Sequence, residues 1–469
     1  MKNKETNILM ESQSICPVCK IPLKAAYVEE SGKVYILKTC KEHGEFISFI
    51  AEHKEDYDEW MNYPIINVPP KIALTEGSVE SQCPLHCGVC NNHLQTACCV
   101  LLEVTERCNQ NCTYCFAKAG ENNAVDPNLK EIERKYDLLL EWGEERPFNI
   151  HLSGGEPTVR DDLPDIVRMG KYKGFVYIQI NTNGRRLAFE EDYTKELKKA
   201  GADVIYLQFD GIDDSIYNAL RQEALFDIKK RAIENCRKAG LPVVLVPTIV
   251  KNVNLHQVGL MMEFLLENID VVKGIHFQPV SFFGRYPDRL PMNEGKRSDF
   301  ENRVTMFDIM HEIELQTLGK FKYDDFRPIN SGHPLCSFYA TYLKRRDGSI
   351  RSLMSKEKGT GSGSCCSAAE PLEIVRKSRD FVRNKWKIGE QRENCCCGGT
   401  TKKVDSEKGV MDFDEFLRAT KNYTFTVSCM AFQDISNLDA ERLKRCRIQV
   451  LSDDDKLIPF CSYNSIYRK

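Results

Sequence analysis

The sequence predicts an α/β protein: a partial (β/α)6 barrel flanked by N-terminal and C-terminal cysteine-rich metal-binding domains. Three observations predict it. Six apolar, β-branched runs alternate with helix-like stretches between residues 100 and 281. Most of the 21 cysteines fall before or after that stretch. Within it, the first run leads straight into CNQNCTYC at 108–115.

The runs are VLLEVTER (100–107), FNIHLSGGEP (148–157), VYIQINTNG (176–184), VIYLQFDGI (204–212), VVLVPTIV (243–250) and GIHFQPVS (274–281). Continuous apolar runs bounded by turn signals read as strands buried on both faces, as in a parallel sheet. Between them, LKEIERKYDLLLEW (129–142) repeats Ile132, Tyr136 and Leu139 at helical spacing, and FDIKKRAIENCRKAG (226–240) ends on a Gly stop signal. Right-handed crossovers then give six βα units, either curved into a barrel, which we expect, or open. The expected boundaries are 1–99, 100–285 and 286–469.

Composition narrows the function classes. The formal charge is 65 − 68 = −3, which gives no general pull toward nucleic acid. The longest apolar runs, such as LPVVLVPTIV (241–250), fall short of the roughly 20 residues a membrane span requires. With no export signal at MKNKETNILMESQ, the expectation is a cytoplasmic monomer, with peripheral membrane contact left open, whose reduced thiols bind metal rather than pair as disulfides.

Cys108, Cys112 and Cys115 can hold three irons of a 4Fe-4S cluster, leaving the fourth open for the amino and carboxylate groups of S-adenosylmethionine (SAM). A zinc knuckle or clustered core thiols is the plainer alternative. In barrels of this kind the chemistry sits at the C-terminal ends of strands. There SGGEP supplies Gly154 and Gly155, which admit close backbone approach, and Glu156, which can accept from an ammonium. NTNG and FDG supply Asn181, Asn183 and Asp210 as candidate ligands for ribose hydroxyls or the SAM carboxylate, although turn residues need no ligand. Tyr114 is placed to pack near an adenine ring.

In the N-terminal block, CPVC (16–19), CKEHG (40–44), CPLHCGVC (83–90) and Cys98-Cys99 could house two metals. Cys16, Cys19, Cys87 and Cys90 pair naturally into a tetrahedral site for zinc or one rubredoxin-like iron. Cys40, Cys83, Cys98 and Cys99 would then be left for a further 4Fe-4S cluster. Cys16, Cys19, Cys40 and His43 form an alternative zinc site. His86 and His93 read as surface groups. In the C-terminal block, Cys429, Cys446 and Cys461 sit in apolar sequence and could converge on a cluster with Cys336, while Cys365, Cys366 and Cys395 to Cys397 have no evident place. GTGSGS (359–364) reads as a flexible linker.

CNQNCTYC followed by SGGEP on the second strand resembles the radical SAM enzymes. The resemblance implies reductive cleavage of SAM to a 5'-deoxyadenosyl radical, with Cys108, Cys112 and Cys115 as cluster ligands and 154–156 as the methionine-binding loop. The flanking cysteine motifs, with FQDISNLDAERLKRC and LIPFCSYN after the barrel, are similar to the archaeal tetraether lipid synthase branch. That similarity implies joining of terminal carbons of isoprenoid lipid chains, about three 4Fe-4S clusters, one rubredoxin-like iron and a low-potential donor such as ferredoxin. A lipid substrate needs a dry tunnel, for which LMMEFLL (260–266) and the stretch through Phe300, Val304, Phe307 and Ile313 are candidates. Competing readings are a radical SAM methyltransferase of a pterin, a peptide-maturing radical SAM enzyme with auxiliary clusters, and a non-enzymatic electron-transfer module.

Overall fold

The computed structural model describes residues 7–70, 83–88, 90, 92–120, 125–143, 147–287, 303–329, 332–354, 380 and 423–468. The GTGSGS segment, Phe300 and the cysteines at 365–366 and 395–397 lie outside the described residues.

The chain begins with an antiparallel meander of β1 (Asn7–Ile15), β2 (Pro22–Glu30), β3 (Lys33–Cys40) and β4 (Gly44–Ala51), paired in that order and followed by helix α1 (Lys54–Met61). In β3 the period-2 pattern turns Val34, Ile36, Lys38 and Cys40 inward. The two-residue turn between β2 and β3 places Ser31 and Gly32 at φ 57° and 81°, the left-handed pair that matches hairpin twist.

The barrel follows: β5 (Cys99–Thr105), α2 (Leu129–Trp142), β6 (Asn149–Gly154), α3 (Leu163–Tyr172), β7 (Ile178–Thr182), α4 (Arg185–Phe189), α5 (Glu191–Ala200), β8 (Val204–Gln208), α6 (Asp214–Arg221), α7 (Phe226–Ala239), β9 (Val243–Val246), β10 (Thr248–Ile249), α8 (Val258–Glu267) and β11 (Val272–Pro279). Asn128 and Glu131 close a capping box at the start of α2, and Gly240 ends α7 at φ 66°. The strands pair in parallel in the order β5-β6-β7-β8-β9-β11. Alternation then sorts their side chains: Ile150, Leu152, Ile178, Ile180, Ile205 and Leu207 face the helices and join the main core, while their neighbours face the lumen.

Next come α9 (Met306–Gln316), β12 (Ser337–Lys344), β13 (Ile350–Ser352), β14 (Thr424–Met430), α10 (Ala440–Lys444), β15 (Ile448–Leu451) and β16 (Leu457–Pro459). Among the described residues, every strand after 286 joins the barrel sheet. β14 adds parallel to β11 at one edge, and β15 adds parallel to β5 at the other. The edge strands of the six-stranded arc are therefore paired rather than exposed.

α8 and α9 pack on each other, with Met261, Met262 and Leu265 meeting a core that includes Ile309, Met310 and Ile313. Of the segments considered as tunnel walls, Met261, Met262, Leu265, Val304, Phe307 and Ile313 join the main core, because their apolar stripes find each other. Among the described residues no helix is long and apolar enough to cross a membrane.

Candidate active site and metal centres

The cysteine loop leaves β5 at the C-terminal end of the sheet and is held from three sides. Gly155 N–H donates to Thr105 O (2.8 Å) and Glu156 N–H to Arg107 O (2.9 Å). A Cβ at Gly154 would stand 2.1 Å from Thr105 O, and one at Gly155 would stand 2.2 Å from Arg107 O. The two glycines are therefore required by the root of the cysteine loop itself. From α6, Leu220 O accepts from Thr113 N–H (2.9 Å) and Ala219 O from the Thr113 hydroxyl (3.0 Å). From the segment after β11, Arg285 exchanges two backbone hydrogen bonds with Cys115 and donates from Nε to Cys112 O (2.9 Å).

Cys108, Cys112 and Cys115 line a cavity of about 260 Å³ at the mouth of the barrel, and among the described residues no other cysteine lines it. Burial, reinforced by the carboxylate of Glu156 and the other two thiols, pushes the Cys108 thiol up to about 12. A desolvated trio of this kind fits a positively charged iron centre, whose own charge favours the thiolates. Three thiols, with no fourth lining the cavity among the described residues, leave room for one further ligand from outside the chain.

Of the other expected residues, Tyr114, Gly154, Gly155, Glu156, Asn181 and Asn183 line the same cavity, and Asp210 does not. The Glu156 carboxylate is already engaged. It accepts from Thr158 N–H (3.1 Å), Thr158 Oγ1 (2.6 Å) and Thr182 Oγ1 (2.7 Å) at Oε1 and from Asn183 N–H (2.6 Å) at Oε2, so it ties β6 to β7. Asn183 donates from Nδ2 to Asn109 Oδ1 (2.8 Å), and its carbonyl accepts from the buried Lys229 (2.6 Å), whose pKa burial lowers to about 8. Asp210 is fully buried, accepts from Thr248 N–H (3.0 Å) and grips Arg221, so it reaches the site only through that arginine. Burial opposes the charge of Arg221, but Asp210 outweighs it and raises its pKa. Arg221 lines the cavity beside Cys112 and was missed by sequence reasoning, since nothing in LRQE marks it before the fold brings α6 to the loop.

Below the cysteines the lumen carries a set of polar side chains. His151, Ser153, Tyr206, Gln208, His276 and Gln278 line it from β6, β8 and β11. One wall is aromatic: Phe460 packs against Phe432, Phe116 and Phe283 at centroid distances of 4.4, 5.5 and 6.0 Å.

The remaining thiols group differently from the expected pairing. The ligand atoms of Cys16, Cys19, Cys40 and His43 all lie within 4.8 Å of one another, because the β1–β2 and β3–β4 turns sit at the same end of the meander. Cys40 and His43 are 3.5 Å apart, and Cys16 and His43 are 3.7 Å apart. Desolvation opposes the Cys40 thiolate, but His43 and backbone donors draw its pKa down to about 6. This Cys3His set fits tetrahedral zinc.

Cys87 and Cys90 therefore do not complete that site. They sit instead with Cys83, beside Lys444 and a hydrogen bond from Ser462 Oγ to Cys87 Sγ (3.2 Å). Their spacing, C-x3-C-x2-C, repeats that of 108–115, a signal legible in CPLHCGVC and overlooked. Cys461 lies within electrostatic reach of Cys446 and Cys336, Cys446 lies within reach of Cys336 and Cys98, and Arg442 Nε donates to Cys336 Sγ (3.4 Å).

Cys429 does not join them. It lies on β14 opposite Phe277 and Phe338, inside the main core, because the strand's alternation points it away from that group. His93, read as a surface group, is buried with Nε2 2.8 Å from Cys446 O.

Comparison with known proteins decides the family. Residues 102–265 match the radical SAM superfamily model, and residues 8–52 match the HMPTM N-terminal zinc ribbon domain. The chain is 34% identical to a 7,8-dihydro-6-hydroxymethylpterin dimethyltransferase of Methanocaldococcus jannaschii, over 97% of this chain and 93% of that protein. The chain belongs to the radical SAM superfamily. It is also 28% identical to a probable GTP 3',8-cyclase of Methanothermobacter marburgensis, covering 63% of this chain and 99% of the relative. The crystal structure of Streptococcus suis SuiB bound to precursor peptide SuiA aligns at a TM-score of 0.37 and 15% identity, over 48% of this chain and 46% of that one.

Radical SAM membership bears out the expected α/β fold, with a zinc ribbon at the N-terminus, and the expected 4Fe-4S and SAM chemistry. The expectation of lipid chain joining is overturned. The relative that spans nearly the whole radical SAM chain is named for a pterin methyl transfer, matching the reading held as the alternative.

Proposed function

We propose that this radical SAM enzyme is a methyltransferase acting on a reduced pterin of the 7,8-dihydro-6-hydroxymethyl type. The observation that carries the reading is the 34% identity to the pterin dimethyltransferase along nearly the full length of both chains, zinc ribbon included. The lumen supports it. A pterin is a planar ring rich in hydrogen-bond donors and acceptors, and His151, Ser153, Asn181, Gln208 and Gln278 offer matching groups. An isoprenoid chain would strand those groups against methylenes.

In this reading Cys108, Cys112 and Cys115 hold the 4Fe-4S cluster, which with bound SAM supplies the 5'-deoxyadenosyl radical. Residues 154–156 shape the methionine end, with Glu156 orienting Asn183. Arg221, fixed by Asp210, keeps a positive charge beside Cys112 and holds Tyr114 O (3.0 Å), so the loop does not shift as charge moves. The aromatic wall at Phe460 excludes water from the reacting carbon.

Zinc is assigned to Cys16, Cys19, Cys40 and His43. Two auxiliary clusters are assigned, one to Cys83, Cys87 and Cys90 and one to Cys98, Cys336, Cys446 and Cys461, with electrons entering from a low-potential donor of the ferredoxin class.

The test is anaerobic turnover of reconstituted enzyme with 7,8-dihydro-6-hydroxymethylpterin, a low-potential reductant and SAM, one molecule of which is cleaved to the radical and methionine, together with a separate one-carbon donor (a second SAM or a methylene-bearing reduced pterin) that supplies the methyl group. A methylated pterin together with pterin-dependent SAM cleavage is expected. Cleavage that ignores the pterin, with no methylated product, refutes the reading.

A further inference from the structure

The floor of the barrel lumen carries groups that neither the cluster loop nor the methionine loop uses. Tyr177, Val204 and Val244 close the barrel beneath it with a dry plug. On that plug stands a ladder of three rings, one each from β6, β8 and β11. His151 and Tyr206 are 5.8 Å apart between centroids, Tyr206 and His276 are 5.9 Å apart, and both pairs are tilted by 50°. All three rings line the cavity that also holds Cys108, Cys112 and Cys115.

The polarity of the first ring is set by its neighbours. Tyr177 Oη donates to Gln179 Oε1 (3.2 Å), and the Gln179 amide donates to His151 Nδ1 (3.0 Å) and to Asn181 Oδ1 (3.2 Å). His151 Nδ1 is therefore an acceptor, and burial keeps the imidazole neutral, with its pKa lowered to about 3. The one ring proton sits on Nε2, which is buried and has no hydrogen-bond partner among the described residues. At the far end, His276 Nδ1 lies 3.0 Å from Ser428 Oγ. The charged side chains lining this cavity, Glu156 and Arg221, are engaged at the rim with Thr182 and Asp210. The floor thus presents a neutral His151 ring with an unspent Nε2 donor among uncharged polar side chains, which suits an uncharged, planar nitrogen heterocycle.

We propose that the His151–Tyr206–His276 ladder seats the heterocycle of the substrate, with His151 Nε2–H donating to a ring nitrogen or carbonyl and the Tyr206 and His276 rings packing along its face. This rests on the pterin reading and names the residues that choose the ring.

The test uses cluster-loaded enzyme and 7,8-dihydro-6-hydroxymethylpterin, following pterin binding by its fluorescence and SAM binding separately. His151→Ala weakens pterin binding by about ten- to a hundredfold, raising KM more than it lowers kcat, while SAM binding and iron content stay at wild-type levels. His151→Gln, which keeps a donor, recovers much of the loss. Tyr206→Leu gives a second measurement should His151→Ala fail to fold. Wild-type pterin affinity in these variants overturns the ladder as the seat while leaving the methyltransferase reading intact. A wild-type enzyme that neither binds nor methylates the pterin overturns both.

Discussion

Asp210 and Arg221 form a buried two-point ion pair, with Nε to Oδ2 and Nη2 to Oδ1 both at 2.7 Å. Arg221 then reaches Tyr114 O at 3.0 Å, so a carboxylate at the end of β8 governs the cysteine loop through its partner.

Asp210→Asn should leave the arginine charge buried and poorly paired. A loss of about 3–5 kcal/mol in unfolding free energy is expected, as for breaking other buried pairs. Iron content should fall with it. Chemical denaturation and iron analysis check this, and a variant with wild-type stability and full iron would contradict the role assigned to the pair.

Gly155→Ala should displace the cysteine loop, because the new Cβ would meet Arg107 O at 2.2 Å. The expected result is loss of the SAM-binding cluster with zinc retained. Gly332→Ala, where the nearest atom is Ile329 O at 3.8 Å, should leave both metals unchanged. Metal analysis of the two variants side by side makes the comparison.

Cys40→Ser should strip the zinc, whereas Cys90→Ser should keep it and lose iron. The opposite pattern would restore the rubredoxin-like pairing of Cys16, Cys19, Cys87 and Cys90. The physical basis is the 3.5 Å approach of Cys40 to His43 at one end of the meander.

Cys429→Ala should retain all iron and cost on the order of 1 kcal/mol of stability, as a small cavity in a packed core. Cys461→Ala should lose iron. Equal iron loss in both would return Cys429 to the ligands.

His311 Nε2 lies 2.9 Å from Asp56 Oδ2, and that hydrogen bond raises the pKa of His311 above its usual value. A raised folded-state pKa means that the pair's contribution is fully present below the unfolded value of about 6.5 and is lost as pH rises through the folded value. Melting temperature should therefore decline over that window more in the wild type than in His311→Asn. Parallel slopes would contradict it.

Much of the barrel was legible in the chain. The stretch 129–142 is a helix with those bounds, and each of the six apolar runs overlaps a strand, the fifth breaking into β9 and β10 and the first and last strands starting one and two residues earlier, because a parallel sheet covered on both faces demands continuous β-branched sequence. The C-terminal strands were not legible. β14 is seven residues long and β15 is four, and each gains its place from a partner more than a hundred residues away. The site divides in the same way. Cys108, Cys112 and Cys115 announce themselves by spacing, while Arg221 and His151 carry no local signal and matter only where they converge.

The sequence by itself determined the barrel and its cluster loop, because periodicity and ligand spacing are local properties of the backbone. Only the tertiary structure decided which distant thiols share a metal, that Asp210 serves Arg221, and that the lumen floor is polar. The polar floor depends on which way a side chain faces once strands are in register, and a shift of one residue would reverse it, while the other two depend on which distant turns and loops the fold brings together.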